Sequence, residues 1–272
     1  MDLYRGLRLA FAAAALFGTA AAAGGGEQAR PRGVVELFTS QGCNSCPKAD
    51  AYLGELARSG DVVALAYHVD YWDYLGWRDT MATAENTGRQ SEYARALGER
   101  SVYTPQAVVN GRVHMNGASR DKVEEALGAL KDAGKGLTVD LTLSEGVESV
   151  IIEAGAAPGA ARKANLLLVF FDPVTPVEIK RGENAGKTVT YWNAVSGIQS
   201  VGMWSGREIR VEIPASELKK RGAAGCAVRC CRRSTRTAIP GRSSARRSST
   251  RRKADAVACR RCPGGWLRRD GL

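Results

Sequence analysis

Val34 to Thr39 is a short run dense in β-branched and apolar residues, it stops at Ser40-Gln41-Gly42, and Cys43-Asn44-Ser45-Cys46-Pro47 follows without a spacer. The run reads as a buried strand. Pro47 fits only the first turn of a helix, and Ala49, Tyr52, Leu53, Leu56 and Ala57 then recur at three-to-four spacing. A helix is therefore predicted from near Cys43 to about Arg58. Val62 to Val69 is a second apolar run of strand length, and a helix-sized stretch between two such runs implies a βα crossover with parallel pairing. Few architectures deliver a Cys-x-x-Cys pair from a buried strand to a helix N-terminus in this way.

The pattern continues with an aromatic loop (Tyr71, Trp72, Tyr74, Trp77), a polar helix from about Ala84 to Leu97, and Val102-Tyr103-Thr104-Pro105 leading into a strand from Gln106 to Asn110. Asn110-Gly111 is the strongest two-residue hairpin signal and joins that strand to Arg112–Met115. A last helix is predicted over Ser119–Leu130, with Ser119 as N-cap and Val123, Ala126, Leu127 and Leu130 on one face. The order βαβ, helix, ββα, with the dithiol after the first strand, resembles the thioredoxin arrangement and defines an α/β domain over 33–135. From Leu137 onward only strand signals appear: Leu137–Leu143, Ser149–Glu153, Asn165–Phe171, Thr188–Trp192 and Glu208–Ile213. They suggest a smaller antiparallel β region over 137–228, of sandwich type.

The two ends of the chain differ from its body. Residues 1–23 carry Arg5 and Arg8, an apolar Leu9–Phe17 stretch and Ala21-Ala22-Ala23, the pattern of a signal peptide. Export to the periplasm or beyond implies an oxidising compartment in which a dithiol can cycle. No later apolar run approaches the ~20 residues that span a bilayer, so no transmembrane segment is expected in the mature form. The net charge of +11 invites a nucleic-acid role, but Arg229 to Leu272 alone hold thirteen Arg and one Lys against two Asp, leaving 25 basic and 26 acidic groups before them. That tail, 229–272, has no apolar period and is expected to be disordered. It reads either as a basic arm for polyanions or as a frameshifted end. The abrupt switch at Val228 and the absence of interleaved aromatics favour the second reading, and no specific nucleic-acid partner is expected. Cys259-x-x-Cys262 lacks the second pair that a zinc site requires.

The stretches Glu36-Leu37-Phe38-Thr39-Ser40-Gln41-Gly42-Cys43-Asn44-Ser45-Cys46-Pro47-Lys48-Ala49-Asp50, Tyr67-His68-Val69-Asp70-Tyr71-Trp72-Asp73, Arg100-Ser101-Val102-Tyr103-Thr104-Pro105-Gln106 and Gly182-Glu183-Asn184-Ala185-Gly186 resemble the secreted thioredoxin-like family called domain of unknown function 1223. The resemblance spans roughly residues 33 to 228. It implies a thioredoxin-type fold, export, a paired-cysteine site and a cis Pro105 beside it; it brings no substrate. Similar proteins continue past Val228 with an apolar strand, which this chain does not.

The chemistry expected is thiol–disulfide exchange, which needs a thiolate. A helix N-terminus favours the anion at Cys43, making it the nucleophile, and Cys46, one turn further in, resolves the mixed disulfide. Asn44 and Ser45 can donate toward the Cys43 sulfur. Glu36, alternating with Val34 and Phe38, is either a buried proton acceptor for Cys46 or half of an ion pair at the sheet margin. Pro105 exposes the Thr104 backbone to an extended substrate, and Trp72 and Trp77 either form a docking rim or pack their loop onto the domain. The partner would be a protein or small-thiol redox partner, and no cofactor is expected. Three other readings stay open: a static disulfide, a copper(I) carrier using Cys43, Cys46 and His68, and a non-catalytic binding protein on the same fold.

Overall fold

The computed structural model describes residues 30–146, 148–157, 163–219 and 225–232. The signal-like segment 1–23 and the tail from residue 233 on lie outside the described residues. In chain order the elements are β1 (Gly33–Thr39), α1 (Pro47–Ser59), β2 (Val62–His68), α2 (Ala84–Leu97), β3 (Gln106–Val109), β4 (Val113–Asn116), α3 (Arg120–Asp132), β5 (Leu141–Glu145), β6 (Ser149–Ala154), β7 (Ala164–Glu178), β8 (Thr188–Trp204), β9 (Ile209–Pro214), α4 (Ala215–Lys219) and β10 (Gly225–Arg232). No helix among the described residues is long and apolar enough to cross a membrane.

β1 pairs parallel with β2 and antiparallel with β3, and β3 turns back into β4. Asn110 and Gly111 both take positive φ, 50° and 65°, as a tight hairpin demands and as Asn and Gly tolerate. α1 and α3 cover one face of this sheet through Leu37, Ala49, Leu53, Val109 and Leu127. The other face carries Val34, Phe38 and Tyr67, with Tyr93 of α2 against them. Ser119 holds the N-cap position of α3 without a side-chain capping bond, whereas the Thr83 hydroxyl caps α2 by accepting from the Asn86 amide at 3.1 Å.

The later strands are not a separate sandwich. Three of them extend the first sheet to seven strands, in the order β10-β7-β8-β2-β1-β3-β4, and β5, β6 and β9 form a second, three-stranded antiparallel sheet. The junction is β8 on β2, parallel at Ala194 and Ala66. Asn193, held at φ 48°, secures it by donating to the Ala64 carbonyl at 2.8 Å. β7 and β8 run far beyond their apolar cores, with register shifts at Leu166/Leu167 and Phe170/Phe171. In β7 the apolar signal marks the buried stretch through Phe171; in β8 it stops at Trp192 and misses the buried Ala194, Val195 and Trp204. The hairpin then lies on α1 so closely that a Cβ added at Gly54 would sit 2.7 Å from the Trp192 ring. The small sheet closes a core of its own against β7 and β8, around Leu141, Ile152, Leu166, Leu168 and Trp204.

Strand pairing continues past the expected boundary at residue 229. β10 pairs with β7 through Arg232, opposite Ala164. An edge strand needs only one row of backbone partners, so the loss of apolar alternation after Val228 does not end it there.

Candidate functional site

The dithiol sits where β1 hands the chain to α1. The Cys43 amide donates to the Ser40 carbonyl (3.1 Å), and the Cys46 amide to the Cys43 carbonyl (3.2 Å). Cys43 and Cys46 form a disulfide with their Cα atoms 5.4 Å apart. The helix itself begins at Pro47, with Cys46 as N-cap, so Cys43 precedes α1 by a turn instead of opening it, as sequence spacing had suggested. Ser45 Oγ lies 3.4 Å from Cys43 Sγ. Asn44 and Ser45 are exposed, whereas Cys43 is only 2% exposed and Cys46 fully buried.

Three side chains fasten the cysteine turn. Trp72 packs over Gly42, whose added Cβ would stand 3.1 Å from Trp72 Cβ. Its Nε1 donates to Thr104 Oγ1 at 2.8 Å, so the Trp72 side chain links Gly42 with the hydroxyl of Thr104, whose peptide bond to Pro105 is cis. Trp77 donates to Gln41 Oε1 at 2.8 Å and is thereby part of the turn's support. Both tryptophans hold their loop down, and within it Tyr74, 78% exposed and stacked on Trp72, offers an open face. Asn184, in the loop between β7 and β8, spends its amide on the carbonyls of Gln41 and Cys43, each at 2.9 Å. Gly182 and Gly186, at φ 78° and 80°, shape that loop.

Beneath the disulfide lies a buried polar cluster. Asp50, one turn beyond Cys46, accepts from Thr39 Oγ1 at 2.7 Å. His68 Nδ1 meets Asp79 Oδ2 at 2.8 Å, and Asp79 also accepts from the amides of Gln41 (2.7 Å) and Met81 (2.8 Å). Tyr191 sets its ring edge-on to His68, centroids 4.6 Å apart. Asp50 Oδ2 and His68 Nε2 find no partner among the described residues. Burial pushes the Asp50 carboxyl up to about 7, with Asp79 adding to the rise and His68 and Thr39 opposing it. At Asp79 burial works in the same direction, yet the His68 ring and the two amides hold the carboxyl below its ordinary value.

Glu36 is not part of this cluster. It faces α2, on the opposite side of the sheet from α1, where Arg89 binds its Oε1 through Nε (2.9 Å) and Nη2 (2.6 Å) and the Tyr93 hydroxyl donates to Oε2. The ion-pair alternative describes it. Strand alternation had put Glu36 inside but could not say on which face α1 packs. Among the described residues no three His, Cys, Asp or Glu side chains are grouped to hold a metal ion.

Asp50, Asp79, Gln41 and Asn184 escaped the sequence reading. Asp50 had left a signal, a carboxylate within the apolar stripe Ala49, Tyr52, Leu53, and Asn184 stands at the centre of a glycine-flanked motif. Gln41 and Asp79 had left none.

A family model described as protein of unknown function (DUF1223) matches residues 34–230. The crystal structure of protein AGR_C_4864 from Agrobacterium tumefaciens is 41% identical, with a TM-score of 0.69, covering 85% of this chain and 92% of that one. No curated protein matches.

Proposed function

This chain belongs to the DUF1223 family, and from its site we propose that it is an exported, thioredoxin-like thiol–disulfide oxidoreductase with Cys43 as nucleophile and Cys46 as resolving thiol. The observation that carries the reading is the placement of Trp72, whose Cβ lies against Gly42 next to Cys43 and whose indole donates to the hydroxyl of Thr104, the residue before Pro105. A paired-cysteine turn beside a cis proline is the arrangement of a thioredoxin-like centre, and the strand order β2-β1-β3-β4, with α1 and α3 on one face, agrees with it. A static bridge is disfavoured on physical grounds, since a two-residue spacer closes almost no loop and stabilises little.

In the oxidised state an incoming thiolate attacks Cys43 Sγ, the Cys43–Cys46 bond breaks, and Cys46 leaves with the electron pair. Buried as it is, the Cys46 thiolate needs a proton. Asp50 lies at the i+4 position of the same helix start, and a carboxyl raised to about 7 can give that proton on reduction and take it back on oxidation. A second thiolate then attacks the sulfur of the first, the new disulfide departs, and the bond to Cys43 breaks with its electron pair on Cys43. The net change is two thiols oxidised to one disulfide and the protein disulfide reduced to a dithiol. On the reduced side, Ser45 Oγ stands where it can donate to the Cys43 thiolate.

Equilibration in glutathione redox buffers, followed by acid trapping and mass analysis, tests the reading. Interconversion of the Cys43–Cys46 disulfide and dithiol, with a Cys43 thiol that alkylates with an apparent pKa below the ordinary ~8.5, is expected. A disulfide untouched by thiols, or a Cys43 that titrates like a free cysteine, would overturn it.

A further inference from the structure

Charge is distributed unevenly around this site. Up to Val228 the chain carries nearly equal numbers of basic and acidic groups, yet the segments that fasten the cysteine turn are flanked by cations. Lys187 donates to Asn184 Oδ1 at 2.9 Å, and Asn184 donates to the Cys43 carbonyl at 2.9 Å. Two hydrogen bonds and the width of one amide put that ammonium within about 8 Å of Cys43. Lys180 and Arg181 precede Gly182, whose added Cβ would meet Trp77 at 3.3 Å; Arg78 follows Trp77, and Lys48 lies two residues past Cys46. All five are exposed.

No carboxylate among the described residues neutralises these cations at close range. Arg32, Arg89, Arg120 and Arg210 are ion-paired, whereas none of these five has a carboxylate within 4.0 Å among the described residues. The acidic groups nearby are Glu178 and Glu183 on the same hairpin and Asp73, whose Oδ1 already accepts from the Asp79 amide at 3.0 Å. Asp50 and Asp79 lie buried below. Exposed cations on the segments bound to the cysteine turn attract anions and raise their local concentration.

We propose that the Cys43–Cys46 pair acts on thiols and disulfides that carry carboxylates, drawn in by these cations, with Lys187 linked through Asn184 to the Cys43 carbonyl. The proposal rests on the thiol–disulfide reading above and specifies its substrate. A carboxylate a few bonds from the attacking sulfur meets the Lys187 ammonium as RS⁻ reaches Cys43 Sγ. The R–S–Cys43 bond forms, the Cys43–Cys46 bond breaks with its electron pair on Cys46, and a second carboxylate thiol completes the two-electron reduction by releasing RSSR.

Reduction of the oxidised full chain by mercaptopropionate, mercaptoethanol and cysteamine tests this, each rate being divided by that thiol's rate with a small uncharged disulfide so that intrinsic nucleophilicity cancels. At low ionic strength the anionic thiol should exceed the cationic one about tenfold. The ratio should fall toward one at about 0.5 M salt, and Lys187→Gln, which keeps a donor for Asn184, should reduce it. A ratio of one at low salt, or one that salt does not change, overturns the proposal. If no thiol of any charge opens the disulfide, the thiol–disulfide reading itself fails. Mixed disulfides with acidic and basic peptides form a second arm: a preference for the acidic peptide that accompanies the small-thiol ratio extends the carboxylate substrates to polypeptides.

Discussion

Replacing Asp50 by Asn in the oxidised protein should make it more stable at pH 8 and leave it nearly unchanged at pH 4. Asp50 is 3% exposed, and burial raises its carboxyl to about 7, while the unfolded chain keeps a value near 3.9. Between those values the native state holds a proton that the unfolded state has lost. Stability from this group is thus fully present below the unfolded value and is lost as pH climbs through the folded one, at about 1.4 kcal/mol per pH unit. The integrated loss is about 4 kcal/mol, an upper figure because water entry and local relaxation reduce the real cost of a buried charge. Asn cannot ionise, yet its carbonyl still accepts from Thr39 Oγ1, so the variant escapes the penalty. Urea unfolding of both proteins from pH 4 to pH 8, with the disulfide intact, reads the difference directly. Curves that stay parallel over this range, or a variant less stable at pH 8, would refute the assignment of a near-neutral buried carboxyl to Asp50.

Glu36→Gln should cost about 3 kcal/mol, because Arg89 is left as a half-buried charge facing a neutral amide, while the pH profile of Cys43 alkylation stays where it is; a moved profile would return Glu36 to the proton path. Gly54→Ala should destabilise by about 1–3 kcal/mol through overpacking against Trp192, despite the gain in helix propensity, as read by thermal melts. Leu168→Ala should cost about 2–5 kcal/mol and lower one shared transition seen equally by tryptophan fluorescence and far-ultraviolet circular dichroism. Two separate transitions would mean that the sheet does not couple the halves of the chain.

The first half of the fold was legible because its signals are local. Pro47, the three-to-four spacing after it, Asn110-Gly111 and the β-branched runs each specify their own segment, and the elements they predict stand within a few residues of the observed ones. The join between β8 and β2 left no such trace: it rests on one bridging pair and an Asn in a left-handed conformation. The same divide runs through the site. Cys43, Cys46, Thr104, Pro105 and Trp72 were found because motif and loop position mark them. Which buried carboxylate lies under the sulfurs depends on the face that α1 covers, and this is a property of packing, with no counterpart in strand alternation. Asn184 reaches the cysteine turn only after a long hairpin has folded back across α1.

That hairpin makes the environment of the sulfurs a product of chain order. The Asn184 amide and the Cys43 carbonyl are 141 residues apart in sequence, and a ribosome adding 5–20 residues per second needs roughly ten seconds or more to make the intervening stretch. Both thiols of the nascent chain therefore emerge well before the residue that will sequester them. Whatever oxidant first joins them meets a bare turn, a different chemical object from the enclosed one that the finished protein presents.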